Sequence, residues 1–338
     1  MAMEGEPGSP HDAVCRHFFG SPENAASELR ALLPEAFVAQ VDWSTLTLMP
    51  SGFVSDHLKS RYGDLLFSVR VDGRLAFIYC LIEHQSRSDR WMALRLTEYM
   101  VNIWRQYLRD NAESEVLPMI VPLVVYAHPK GRRWRAATDL SELFALSAEL
   151  RESLGDLVPR MRYVVDDVGA VDLVELRKRS LTPAALVVLR ALQVASREDV
   201  VESLYSLVDD LAAMYHGPNG QGYLTAVMTY IGCVSDVEPE RFDPLLDRLE
   251  PQVREAVVTT LEKLVAKNVA RGEVRGEARG EVRGKADSLL RLLGCKFGDV
   301  PGSVSTRVRS ASIAELDRWT ERILTATTIE EVLVRDDG

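Results

Sequence analysis

Three residues carry the clearest chemistry in this chain: Asp64, Glu83 and Gln85. Asp64 opens the stretch DLLFSVRV, and Glu83 and Gln85 close LAFIYCLIEHQ. Two carboxylates converging from adjacent strands suit a hard divalent cation such as Mg2+ or Mn2+, which takes one or two carboxylates and keeps several waters. A cation held there can acidify a bound water and stabilise charge on a phosphate undergoing in-line displacement. The competing reading is that these are the polar, solvent-facing ends of a hairpin. Against it, Leu81 and Ile82 precede Glu83, so the carboxylate follows deeply apolar strand.

The elements that must position these residues follow from the turn. Asp72-Gly73 between two alternating apolar stretches is a strong signal for a two-residue hairpin loop. With that turn, Val71 faces Arg74 and Asp64 faces Leu81. Glu83 is then the diagonal neighbour of Asp64, about 7–8 Å away between backbones. Gln85 lies two residues further along the same face. The opposite face, with Leu65, Phe67, Val69, Val71, Ala76, Ile78, Cys80 and Ile82, is wholly apolar.

Around the hairpin, residues 11 to about 34 read as a helical stretch ending before Pro34, and a second short region runs on to Phe53, after which the pattern changes to strands. The spacing of Met92, Leu96, Tyr99, Met100, Ile103 and Tyr107 predicts a helix over 88–108, capped by Ser88 or Asp89. LPMIVPLVVY, residues 117–126, has the length and composition of a central strand buried on both faces, although Pro118 and Pro122 disturb its start. Residues 11–165 therefore form one α/β unit with a mixed sheet, after a loose polar leader at 1–10. Residues 166–270 are helical throughout, with a capping-box pattern at Ser196–Asp199. Residues 287–338 form a small helical region around Leu289, Leu292, Leu293, Leu316, Trp319 and Ile323.

Between the last two lies the repeat RGEV-RGEA-RGEV-RGKA, residues 271–286. A period of four drifts by about 40° per repeat on a helix, so its glycines trace a slanted stripe. Each glycine costs about 1 kcal/mol against alanine, and the i, i+4 pairs are like-charged. The segment is either a charged linker or a helix that a partner chain stabilises, which makes it a candidate homo-oligomer contact. Its charge density excludes a membrane reading of the GxxxG spacing.

Composition narrows the classes further. The 338-residue chain is acidic overall, with a net charge of -10, yet residues 84–135 hold nine Lys/Arg against five Asp/Glu. That local excess permits a phosphate-binding face. Within it, Lys130, Arg132, Arg133 and Arg135 flank Trp134 and suit a backbone clamp with a stacking ring; a solvated loop with a core tryptophan is the alternative. Arg95 is either a phosphate contact or part of a solvated helix face. Asp12 is a helix N-cap or a further acidic group near the cation, and His84 alternates to the apolar face. The cysteines Cys15, Cys80, Cys233 and Cys295 are widely spaced, which fits free thiols in a reducing cytoplasm, with Cys80 and Cys233 in apolar surroundings. No Cys/His cluster has zinc spacing, and no apolar run reaches membrane-spanning length. P-loop, dinucleotide-binding, serine-hydrolase and zinc-protease motifs are missing.

An Asp opening a strand, a hairpin, and Glu-x-Gln after an apolar strand resemble the PD-(D/E)xK nuclease superfamily. More narrowly, the chain resembles the Rpn (YhgA-like) recombination-promoting nucleases, often labelled transposases. The stretches that carry this are Pro10-His11-Asp12, Tyr62-Gly63-Asp64-Leu65-Leu66, Ile82-Glu83-His84-Gln85-Ser86, Leu94-Arg95-Leu96 with Tyr99, and Pro122–Tyr126 followed by Trp134. The resemblance covers most of residues 10–260. It implies a restriction-endonuclease-like mixed sheet with C-terminal helical extensions, and a cytoplasmic DNA endonuclease associated with recombination or mobile elements. Asp64 and Glu83 would bind the metal, and Gln85 would occupy the position of the superfamily lysine. Gln lacks the positive charge but can orient a water or phosphate oxygen. A catalytically idle DNA-binding or protein-interaction module on the same fold is the alternative. Where those relatives usually place a glycine-containing loop after the fourth strand, this chain has Ala127-His128-Pro129-Lys130-Gly131-Arg132.

Overall fold

The computed structural model describes residues 10–50, 64–83, 88–128, 131–235 and 237–334; the side chains of 64, 82, 83, 239 and 267–280 lie outside that description. The chain divides into two compact units, Met1–Glu262 and Lys263–Gly338.

The first unit opens with two helices where the sequence reads as one. Helix α1 is Pro10–Phe19 and α2 is Pro22–Leu32. Gly20-Ser21-Pro22 forces the break. A Cβ on Gly20 would sit 2.5 Å from the Arg16 carbonyl oxygen, and Pro22 is pre-set for a helix start but lacks the N–H needed within one. Asp12 is the third residue of α1 rather than an N-cap. After the short α3 (Glu35–Val38), the eight-residue strand β1 (Val41–Leu48) begins the sheet before Phe53, earlier than the pattern predicts.

Strands β2 (Asp64–Val71) and β3 (Arg74–Glu83) form the expected hairpin. Asp72 and Gly73 both adopt positive φ, 49° and 71°, as a two-residue type I′ turn requires. Helix α4 (Met92–Asp110) follows. It starts four residues later than expected, and neither Ser88 nor Asp89 is its N-cap; the Asp89 carboxylate instead accepts from the Trp91 N–H. Strand β4 (Met119–Tyr126), helix α5 (Ala148–Leu154) and the short strand β5 (Val164–Asp167) complete the α/β core.

The sheet order is β1-β2-β3-β4-β5. β1, β2 and β3 form an antiparallel meander, and β3, β4 and β5 run parallel. This mixed sheet with flanking helices is consistent with the restriction-endonuclease-like class. Pro122 is tolerated in β4 because β5 begins only opposite Leu123, leaving β3 as its one neighbour there. Helix α4 packs Met92, Leu96, Tyr99, Met100 and Ile103 onto Leu66, Phe77, Tyr79, Leu81, Val124 and Tyr126. Helix α1 approaches the other face, its Cys15 close to Cys80.

The helices that follow are α6 (Leu173–Lys178), α7 (Pro183–Val194), α8 (Val200–Leu204), α9 (Val208–His216), α10 (Gly220–Val234), α11 (Asp243–Leu246) and α12 (Pro251–Phe297). Of these, α7 and α10 pack on the N-terminal helices: Tyr230 meets His11 at 2.6 Å, and Thr182 donates to Asn24 at 2.7 Å. The Ser196–Asp199 capping box does not form. Asp199 is the N-cap residue of α8 without a side-chain cap bond, because its carboxylate is taken by Arg197 at 2.8 Å. Cys233, expected in apolar surroundings, is exposed, whereas Cys15 is buried with Cys80. Burial pushes the Cys15 thiol pKa far up, so it is an inert packing group.

The division between units falls within α12, and the repeat 271–286 is helical backbone inside it. The second unit has its own core. Leu289 and Leu293 of α12 join Val308 of α13 (Gly302–Arg309), Leu316 and Trp319 of α14 (Ile313–Arg322), Ile323, and Val332 of α15 (Ile329–Val332). Leu292, expected in that core, is exposed. Helix α14 begins with a complete capping box between Ser312 and Glu315.

Candidate active site

The β2–β3 ladder pairs Asp64 with Leu81 and Val71 with Arg74, the register that the tight turn dictates. Position 83 is therefore one diagonal step from position 64, at the end of the hairpin remote from the turn. Across the parallel strands, Glu83 pairs with Tyr126 and Tyr126 with Asp167. These three positions form one row at the C-terminal ends of β3, β4 and β5. Gln85, His84 and Lys130 lie outside the described residues, as do the side chains of Asp64 and Glu83.

The surroundings of that row are well defined. Tyr126 is buried, with Trp134 edge-on to it at 5.0 Å between centroids. Trp134 also meets Tyr163 at 6.3 Å. Of the two readings for Trp134, the ring belongs with the core that α4 covers. Its backbone N–H donates to Asp167 Oδ2 at 2.8 Å. Asp167 Oδ1 is buried without a hydrogen-bond partner among the described residues. Asp167 was not singled out by sequence. Its only signal is an acidic residue closing a short β-branched stretch, Val164-Val165-Asp166-Asp167.

The basic residues separate into two kinds. Arg95 is largely enclosed: it faces Asp89 at 3.5 Å, its Nε donates to the Tyr99 hydroxyl at 3.4 Å, and its guanidinium lies 5.7 Å from the Tyr99 ring centre. Tyr99 in turn meets Tyr79 of β3 at 5.3 Å. Arg132, Arg133 and Arg135 are exposed, and no ion pair holds them among the described residues. Clustered cations without internal partners on a loop beside strand ends are available to phosphate.

Chemically, the arrangement is a pair of acidic positions at the end of one hairpin, beside a parallel strand pair and an arginine-bearing loop. The donor set fits a hard divalent cation, because carboxylate oxygens are its preferred protein ligands. Among the described residues, no three His, Cys, Asp or Glu side chains gather in a metal-binding group. No helix among them is long and apolar enough to cross a membrane.

A mixed α/β core with this hairpin defines a class, and comparison with known proteins gives the family. The model described as "Putative transposase, YhgA-like" matches residues 9–221, and the chain belongs to that family. It is similar to recombination-promoting nuclease RpnA of Escherichia coli (strain K12), 39% identical over 35% of this chain and 40% of that protein. Recombination-promoting nuclease RpnD of Escherichia coli O157:H7 is 27% identical over 76% of this chain and 94% of its own length. The inactive recombination-promoting nuclease-like protein RpnE of strain K12 is 37% identical over 36% of this chain and 40% of that protein. The match thus spans about two-fifths of the length of RpnA and of RpnE. No solved structure matches the chain.

Proposed function

We propose that this protein is a cytoplasmic, metal-dependent DNA endonuclease that hydrolyses phosphodiester bonds in the setting of recombination or mobile elements. The observation that carries this reading is the β2–β3 register, which makes positions 64 and 83 diagonal neighbours at one end of the hairpin. Membership of a family with relatives named recombination-promoting nucleases supports it.

Asp64 and Glu83 would hold Mg2+ or Mn2+. When bound, such an ion supplies an acidified water and charge stabilisation at the scissile phosphate. Gln85 orients the attacking water or a phosphate oxygen through its amide, which can both donate and accept. Arg132, Arg133 and Arg135, with Lys130, hold flanking phosphates of the duplex, and Arg95 is a further phosphate contact on α4. Asp64→Ala should abolish metal-dependent nicking of supercoiled plasmid while leaving the far-UV circular dichroism unchanged. Equal cutting by the variant would remove the proposal.

A second reading is an idle DNA-binding or protein-interaction module on the same fold. The neutral Gln85 favours it, as does the similarity to a relative named inactive. Metal titration against cleavage separates the two, since an idle module retains DNA and leaves it intact. Residues 271–286 would serve as a homo-oligomer contact in either case; unchanged mass by light scattering after their deletion would dispose of that role.

A further inference from the structure

Helix α4 has a second face that the core does not use. Its exposed positions are Trp91, at the N-cap, then Leu94, Glu98, Val101, Arg105 and Leu108, followed by Arg109 and Asp110 in the last turn. Four of the first six are large and apolar, 37–53% exposed. At about 100° per residue, these six fall within a stripe about 100° wide, opposite Leu96, Met100 and Ile103, with Arg109 at its edge in line with Trp91. The stripe comprises two rows of seven-residue period: Leu94, Val101, Leu108, and Trp91, Glu98, Arg105. Nothing about holding the sheet requires apolar residues here, because the inner face already does so.

The two charges set between the apolar residues, Glu98 and Arg105, identify what covers the stripe; Arg109 at its edge is already held by Gln106 of the same helix at 2.5 Å. Glu98 and Arg105 are seven residues apart, about 10.5 Å along the axis, too far to pair within one helix. Neither has an ion pair among the described residues. We infer that a second copy of this chain docks on the ridge, the two α4 helices running antiparallel about a twofold axis at Val101. That axis sets Val101 against its own counterpart and Leu94 against Leu108 of the second copy. It also brings Glu98 beside Arg105 of the second copy, twice. A parallel arrangement would oppose Glu98 to Glu98 and Arg105 to Arg105, so the charges select the antiparallel one. Self-complementarity of this kind is what a twofold interface demands.

The apolar surface continues beyond the helix. Trp104 donates its indole N–H to the Pro118 carbonyl at 2.8 Å, which ties the connection bearing exposed Val116, Leu117 and Met119 to the C-terminal half of α4. In the antiparallel pair that connection lies towards Trp91 and Leu94 of the second copy. A stable interface needs upward of about 1,000 Å2 in total, more than one isolated helix ridge readily supplies, and this extension adds to it. The inference is independent of any hydrolytic activity.

Sedimentation equilibrium on the full chain tests it. The wild type is expected to dimerise and Val101→Glu to be monomeric, since it places two carboxylates together on the axis. Glu98→Arg should weaken the dimer roughly tenfold, because two attractive pairs become repulsive. The double variant Glu98→Arg/Arg105→Glu should restore the wild-type affinity, which a folding defect would not do. A monomeric wild type, an unchanged Val101→Glu dimer, or failure of the double swap to restore affinity would each overturn the inference. Self-association through residues 271–286 alone would show as a dimer indifferent to all these substitutions.

Discussion

Asp167 accepts the backbone N–H of Trp134 at 2.8 Å, joining the end of β5 to the loop that leaves β4. Through it, the arginine-bearing segment is anchored beside the row of Glu83, Tyr126 and Asp167. Asp167→Ala leaves a half-buried N–H without its acceptor, at a cost of about 1–3 kcal/mol. Asp167→Asn keeps a carbonyl acceptor and should recover most of that loss. Urea unfolding midpoints check the order; equal loss by both variants would mean that the hydrogen bond is not what matters.

Glu28, Asp166 and Arg179 make a buried charged group. Arg179 donates to Glu28 Oε1 at 3.0 Å and to both Asp166 oxygens at 3.1 and 2.9 Å. Burial, and then the neighbouring Asp166, raise the Glu28 pKa well above 4.5. The folded protein therefore holds this proton more tightly than the unfolded chain does. Stability from this group falls as pH rises from about 4.5 towards the folded pKa. Glu28→Gln mimics the protonated form and should remove that fall. Urea unfolding at pH 5 and pH 8 measures it; parallel pH profiles for the two proteins would contradict it.

The arginine loop makes a claim about salt. If Arg132, Arg133 and Arg135 each meet a phosphate, changing all three to Ala should flatten the slope of log K for DNA against log salt by about 2.7. Fluorescence anisotropy at several salt concentrations reads this directly. An unchanged slope would place the phosphate contacts elsewhere.

Helix α4 should respond differently on its two faces. Ile103 is fully buried, so Ile103→Ala should cost about 2–5 kcal/mol. Val101→Ala on the outer ridge should stay within about 0.5 kcal/mol of the wild type, measured below the dimer dissociation constant by chemical denaturation.

These elements were unequally legible in the sequence. The hairpin was readable because Asp72-Gly73 fixes both the turn and the register, so one dipeptide determines which residues oppose each other. Strand β4 was readable as a continuous apolar run. Strand β1 was not: only Val41 and Leu46 of it are buried, and its pairing slips between Asp42 and Thr47, which breaks the alternation. Strand β5 has just four residues, half of them acidic. The Ser196 capping pattern was sound chemistry locally, but Arg197 offered Asp199 a charged partner. Asp167 escaped notice for a related reason. Its role depends on a backbone N–H 33 residues away, which no local pattern encodes.

The central claim is that positions 64 and 83 act on one shared cation. Calorimetric titration of Mn2+ into the wild type, Asp64→Ala, Glu83→Ala and the double variant tests it most directly. The account predicts one ion per chain in the wild type, its loss in each single variant, and no further change in the double. Retention of that ion by either single variant, or separate additive losses from the two, would contradict it.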